Sequence, residues 1–218
     1  MTYYKLQMNI TQGAGSIDQN FPALSPSNIA TIYGSPGASL VATINNDAEI
    51  IEAEFGTTYQ FQLDEDGYGQ FHIVQRSNST VRSAISVIVF DQNSPDSRIS
   101  QYTYFMPYRI GTGHLQAYNY TTDAPNDGKT PCCLSVLVNQ TTDIGQLKTI
   151  IVRTERNSSI LNSVKASDYT TLPIDDQGCV TVQLVNKINE SDTVTIALPQ
   201  SPDGEYIQAI INFNQFPN

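Results

Sequence analysis

Tryptophan is absent from the 218 residues, histidine occurs twice, cysteine three times, and lysine and arginine together number only 11. Each shortage closes a class of function. Neutralising phosphates needs clustered cations, and 11 basic residues without a run of three, against 21 acidic ones, exclude a nucleic-acid surface and disfavour an anionic membrane. His72 and His114 lie in separate alternating segments that no spacing joins, and no Cys-x-x-Cys occurs, so a zinc site has no basis. No Gly-x-Ser-x-Gly elbow, phosphate-binding loop or zinc-protease motif is present, so no catalytic residue and no cofactor is assigned and the chain reads as a non-enzyme. No stretch approaches the ~20 apolar residues that span a bilayer. The start, Met1 to Met8, lacks the apolar segment of a signal peptide, so the expectation is a soluble chain without its own export signal. A cytoplasmic protein, one exported without a cleaved leader, and a fragment of a longer protein all fit that expectation.

What is present is a repeat. Leu63-Asp64-Glu65-Asp66-Gly67-Tyr68 leads into the alternating run to Val74, and Ile174-Asp175-Asp176-Gln177-Gly178-Cys179 leads into the alternating run to Val185, 111 residues later. Acidic and amide side chains bond their own backbone in turns, and glycine takes the positive φ a tight turn needs. Each copy is followed by a polar turn and another apolar run, Ala84–Val89 and Thr193–Leu198. Charged residues are only 15% of the chain, and Asn, Thr, Ser and Gln are abundant, which suits strands and turns better than helices. Short strands with turn signals every 8–12 residues mark an antiparallel sandwich. The expected fold is all-β: two tandem immunoglobulin-like antiparallel β-sandwiches, residues 1–107 and 108–218.

Within the first half, strands are expected near residues 1–11, 29–33, 39–44, 49–54, 57–63, 70–75, 84–91 and 99–106, with Asn93–Ser97 as a loop and a short strand hidden near Ile17 or Phe21. The second half should carry strands at 114–120, 132–139, 149–154, 170–174, 180–185, 193–198 and 206–213. Pro107 to Gly111 joins the halves without a flexible linker, which suggests domains set end to end with restricted rotation. Val138 to Ile174 spans 36 residues, against about 20 from Thr43 to Leu63, so the second domain is expected to carry a longer central insertion near Asn157–Lys165. Ser158–Lys165 is a candidate helical turn.

Asp127-Gly128-Lys129-Thr130 before Leu134–Val138, then Thr170–Gly178 before a valine-rich strand, resembles the bacterial immunoglobulin-like domains of the intimin and invasin group. Ser35-Pro36-Gly37-Ala38-Ser39 and the Asp64 turn give the first half a looser likeness. The resemblance covers about two thirds of the chain and implies surface-adhesin stalk or tip domains, hence an extracellular or cell-surface setting.

Candidate sites follow from residue type. Tyr102, Tyr104, Tyr108, Tyr118 and Tyr120 cluster near the boundary between the halves, where aromatic rings can contact a protein or glycan partner or simply pack the junction. The lack of tryptophan removes the usual dominant residue of sugar platforms. Asp64 and Asp66, with Glu65 and Gly67, resemble the first half of a calcium loop, although its twelfth position is Gln75 rather than a carboxylate; a plain hairpin turn is the alternative. If strands 132–138 and 179–185 are neighbours, Cys133 could form a disulfide with Cys179; otherwise the cysteines are small buried thiols. Six Asn-x-Ser/Thr triplets are mostly the chance product of composition. Three readings stay open: a binding or adhesion module, a structural or self-associating component whose edge strands pair, and an enzyme without a recognisable motif.

Overall fold

Alternating apolar residues fold as strands because each strand then buries one face and leaves the other to water. The computed structural model describes residues 4–15, 27–45, 48–75, 84–107, 109–111, 113–139, 148–162, 169–199 and 204–215. In chain order the first half carries β1 (Gln7–Ile10), β2 (Ala14–Gly15), β3 (Asn28–Tyr33), β4 (Ser39–Ile44), β5 (Glu49–Ile50), β6 (Thr58–Gln62), β7 (Tyr68–Val74), β8 (Ala84–Asp91) and β9 (Ser94–Met106). The second half carries β10 (Arg109–Ile110), β11 (Leu115–Tyr120), β12 (Ala124–Pro125), β13 (Cys132–Val138), β14 (Thr149–Thr154), β15 (Ser159–Ile160), β16 (Tyr169–Pro173), β17 (Cys179–Val185), β18 (Glu190–Ala197) and β19 (Tyr206–Asn214). Among the described residues the only helical segment is one 3-10 turn, Ile51–Ala53.

In the first half the sheet β1-β3-β7-β5 packs on β2-β9-β8-β4-β6; in the second, β10-β11-β13-β17-β15 packs on β12-β19-β18-β14-β16. Apart from the short β10, the two orders agree strand for strand, so β3 corresponds to β13, β7 to β17 and β9 to β19. The chain is thus two immunoglobulin-like β-sandwiches in tandem, built on one plan. In both, the chain changes sheets at a residue of positive φ, Gly13 (87°) and Asp123 (65°). Ala14 and Ala124 then pair in parallel with Phe105 and Phe213, and all four are buried. The first core sets Met8, Ile32 and Phe71 of one sheet against Leu40, Val87 and Phe105 of the other. The second sets Leu134, Val136 and Val182 against Ile150, Ile196 and Phe213. Each such burial contributes about 1.5–3 kcal/mol.

The repeated turn has the same hydrogen bonds in both copies. Asp64 Oδ1 accepts from the N–H groups of Asp66 (2.9 Å) and Tyr68 (2.8 Å). Asp175 Oδ1 accepts from those of Gln177 (2.9 Å) and Cys179 (2.7 Å). Gly67 and Gly178 take φ of 75° and 83°. A Cβ on Gly67 would strike the carbonyl oxygen of Gly34, and one on Gly178 that of Val138, which are corresponding positions.

Elsewhere the structure departs from expectation for local reasons. Glu49–Glu54 is not one strand: after Ile50 the chain enters the 3-10 turn and then two left-handed residues, Glu54 (φ 52°) and Phe55 (φ 64°). Asn93–Ser97 is not a loop, because β8 and β9 form a tight hairpin with Asp91 opposite Ser94. Ser159–Ile160 pairs with β17 instead of starting a helical turn. The extra length of the second half lies between β13 and β14, where residues 139–148 stand against 34–38 between β3 and β4. Matching β13 with β4 rather than β3 misplaces it. The segment around Ile17 and Phe21 lies outside the described residues.

Candidate functional site

The two sandwiches meet at a polar joint that the sequence does not announce. Between β12 and β13, Asp127 Oδ1 accepts from the N–H groups of Lys129 and Thr130, both at 2.7 Å, and Asp127 Oδ2 accepts the Thr130 hydroxyl at 2.7 Å. The turn so held presses Thr130 onto the outward face of the first four-stranded sheet. There the Thr130 hydroxyl accepts from Gln70 Nε2 (2.8 Å) and lies 3.1 Å from the Thr31 hydroxyl. The Tyr33 hydroxyl donates to Asp127 Oδ2 (3.4 Å), and Lys129 Nζ sits 5.4 Å from the Tyr68 ring centroid. Burial pushes the phenols of Tyr33 and Tyr68 up, and the Asp127 charge raises both further, so both stay protonated donors at neutral pH. A second contact is backbone only: Gln12 and Thr122 exchange two hydrogen bonds of 2.8 and 2.9 Å. Thr31 and Gln70 lie mid-strand, so the contact is lateral rather than end to end.

The tyrosines expected at this boundary divide between two environments. On β9, Tyr102 is 70% exposed and Tyr104 half-buried, alternating with buried Thr103 and Phe105, so both stand on the outward face of the first domain. Tyr118 and Tyr120 instead pack against the second core and flank the Arg109 guanidinium, 5.8 and 4.0 Å from their ring centroids. Tyr108 lies outside the described residues.

The Asp64 carboxylate is engaged by its own turn, and among the described residues no group of three or more His, Cys, Asp or Glu side chains is placed to hold a metal ion. Strands β13 and β17 are neighbours as expected, but Cys133 stands opposite Gln183 and Cys179 opposite Leu137. Four positions of strand, about 13 Å, part the two sulfurs' residues, too far for a disulfide. All three cysteines are free and buried, and burial pushes the Cys133 thiol up to about 12. Each histidine grips one carboxylate: His72 Nδ1 lies 2.5 Å from Glu52 Oε1, and His114 Nδ1 lies 2.8 Å from Glu205 Oε1. The first pair ties β7 to the 3-10 turn, and the second ties the two loops that lead into β11 and β19.

Sequence reasoning missed the outward face of the sheet β12-β19-β18-β14-β16. Tyr169, Tyr206 and Ile210 are 55%, 60% and 62% exposed there. The register aligns Tyr206 with Ala197, Gln208 with Thr195, and Arg153 with both Thr195 and Tyr169. The available signal was β19 itself, whose Tyr206 and Ile210 fall on the face opposite Ile207 and Ile211. An apolar residue on both faces of an outer-sheet strand leaves one face seeking contact.

No protein-family model matches the sequence, and no curated protein matches it significantly. Among solved structures the chain is similar to invasin, a bacterial integrin-binding protein, at 15% identity over 98% of this chain and 40% of that one, with a TM-score of 0.37. It is similar to the D0-D1 domain of intimin at 11% identity over 98% and 99%, TM-score 0.38. The Yersinia pseudotuberculosis adhesin InvE gives 12% identity over 96% and 59%, TM-score 0.32. The chain thus spans less than half of the invasin structure. These likenesses carry no argument about partner or role.

Proposed function

We propose that the chain is a non-catalytic binding or adhesion module whose laterally joined sandwiches present sheet faces to a protein or glycan partner. The observation that carries this reading is the set of large apolar side chains left in water on corresponding faces: Ile88 and Tyr102 in the first domain, Tyr169, Tyr206 and Ile210 in the second. Grouped exposure of this kind marks contact surfaces, since isolated exposed residues carry no such meaning. The buried joint at Thr130 supports the reading by holding the two domains against each other. Binding of the purified chain to cells and to a glycan array, with its solution mass by light scattering, tests it. Saturable binding by a monomer that weakens on Tyr102→Ala or Tyr206→Ala is expected; a discrete oligomer with no binding overturns it.

A second reading, self-assembly, has an observation of its own. Among the described residues β6 and β16 are the last strands of their sheets, and neither carries a charge to deter pairing with another chain. The mass measurement separates the two.

A further inference from the structure

The second domain has a trough along β18 whose place on the first domain's β8 is taken by large side chains. Along β18 the outward residues Thr193, Thr195 and Ala197 are small, while β19 raises Tyr206, Gln208 and Ile210 on one side and β14 raises Arg153 on the other. A cavity of about 330 Å³ results, lined by Arg153, Glu155, Thr195, Ala197, Tyr206 and Gln208 among others. At the corresponding sites of β8 stand Ile88 and Phe90, in place of Thr195 and Ala197, so the same sheet is filled in the first domain. The trough therefore comes from side-chain choice on a shared backbone plan.

Its lining mixes one exposed aromatic ring with groups that bond hydroxyls. Among the described residues no ion pair or side-chain hydrogen bond engages the Arg153 guanidinium or the Glu155 carboxylate, while Gln208 Nε2 donates to Thr195 Oγ1 at 3.2 Å. A guanidinium and a carboxylate each present two coplanar sites, a spacing that fits the vicinal hydroxyls of a sugar, and a phenol ring offers a flat apolar surface to the ring's C–H face. The floor is one strand wide, which suits a single extended chain. Charge selects within this class: Arg153 and Glu155 balance locally, and a net charge of −10 repels anionic sugars. Resting on the binding-module reading and giving it a ligand class, we infer that this trough binds a neutral oligosaccharide, with Tyr206 as the stacking platform and Arg153, Glu155 and Gln208 as the hydroxyl-bonding groups.

The test titrates the full ¹⁵N-labelled chain with neutral trisaccharides of glucose, mannose, galactose and N-acetylglucosamine, and with sialyllactose. At least one neutral trisaccharide should shift the amides of Thr195, Ala197 and Gln208. Tyr206→Ala should weaken its binding at least ten-fold, and Ala197→Phe, which copies the first domain's residue, should do the same by filling the trough. Both positions are at the surface, and circular dichroism checks that each variant is folded. Shifts that survive both variants, preference for sialyllactose, or no response to any neutral sugar overturns the inference. If cell or protein binding persists without a sugar response and still depends on Tyr206, the glycan falls while the binding module stands. Concentration-dependent broadening of the same amides without sugar would instead assign the face to a second copy of the chain.

Discussion

Laid on one another by their repeated turns, the two domains match Gly67 with Gly178, Tyr68 with Cys179, Gln70 with Thr181 and Phe71 with Val182. The glycine, and Asp64 and Asp175 three residues before it, keep both identity and hydrogen bonds, whereas most of the positions that follow differ, Val74 and Val185 excepted. Phe71 sits in an aromatic group, with ring centroids 5.8 Å from Phe61 and 6.2 Å from Tyr59. Val182 stands opposite Leu134, in a core whose buried members are aliphatic apart from Phe213 and Cys132. The outward positions diverge as well: Thr31, Tyr33, Tyr68 and Gln70 form the polar socket for the Thr130 turn, while Ser135, Leu137, Cys179 and Thr181 occupy those places in the second domain. Backbone direction needs particular residues only where φ is positive or a carbonyl passes close. Interior and outward positions need only the right polarity and volume, and there the domains have become different surfaces.

That comparison can be broken in a definite order. Phe71→Ala should cost the first domain about 3–5 kcal/mol, whereas Val182→Ala, which removes less volume, should cost the second about 2 kcal/mol. All three cysteines are buried in the second domain, so thiol labelling reports its unfolding alone. Urea melts followed by near-ultraviolet dichroism should show Phe71→Ala unfolding early with labelling little changed; equal acceleration of labelling would mean that the sandwiches unfold as one unit. Next, Gly67→Ala and Gly178→Ala should each cost about 2–3 kcal/mol, since both force an alanine into positive φ against a carbonyl oxygen. A difference above about 1 kcal/mol between them would show the two turns are not equivalent. Thr130→Val should weaken the docking of the two domains by about 1–2 kcal/mol, because Gln70 and Thr31 lose a buried partner. Residual dipolar couplings should then report a loosened interdomain orientation while each domain keeps its own melting midpoint.

Much of this comparison is legible in the sequence. The 111-residue offset read from Asp64 and Asp175 holds residue by residue through β7 and β17, because a turn needing positive φ leaves few alternatives to glycine and apolar alternation fixes the face. The left-handed bend at Glu54–Phe55 is not legible, since neither residue type favours it. Cys133 and Cys179 show the limit of strand adjacency: it says which strands meet, and only register says which residues do. The joint escaped for a related reason. Thr130, Thr31 and Gln70 are ordinary polar residues in strands and turns, and only the tertiary approach of two domains makes them a buried network. Tyr206 and Arg153 are likewise unremarkable until β14, β18 and β19 stand side by side.

The smallest effect concerns acid. Burial pushes the Glu205 carboxyl up, but hydrogen bonds from the His114 ring and from the N–H groups of His114 and Leu115 more than offset this and hold it below its ordinary value. A carboxyl depressed in the folded state contributes stability that is present above its unfolded pKa, about 4.3, and is lost as pH falls through the lower folded value. Glu205→Gln should remove that contribution, under about 1 kcal/mol for a partly exposed pair, and flatten the decline of second-domain stability between neutral pH and pH 3. Thiol exposure across this range, read with a pyridyl disulfide that still reacts with thiols in acid, reports the effect in the second domain alone. Because His114, the partner of Glu205, immediately precedes β11, a change confined to labelling would place the acid-sensitive tie at the start of that strand. An equal change in near-ultraviolet dichroism of the first domain would instead show that the joint at Thr130 transmits it, making the two sandwiches one cooperative body despite their separate cores.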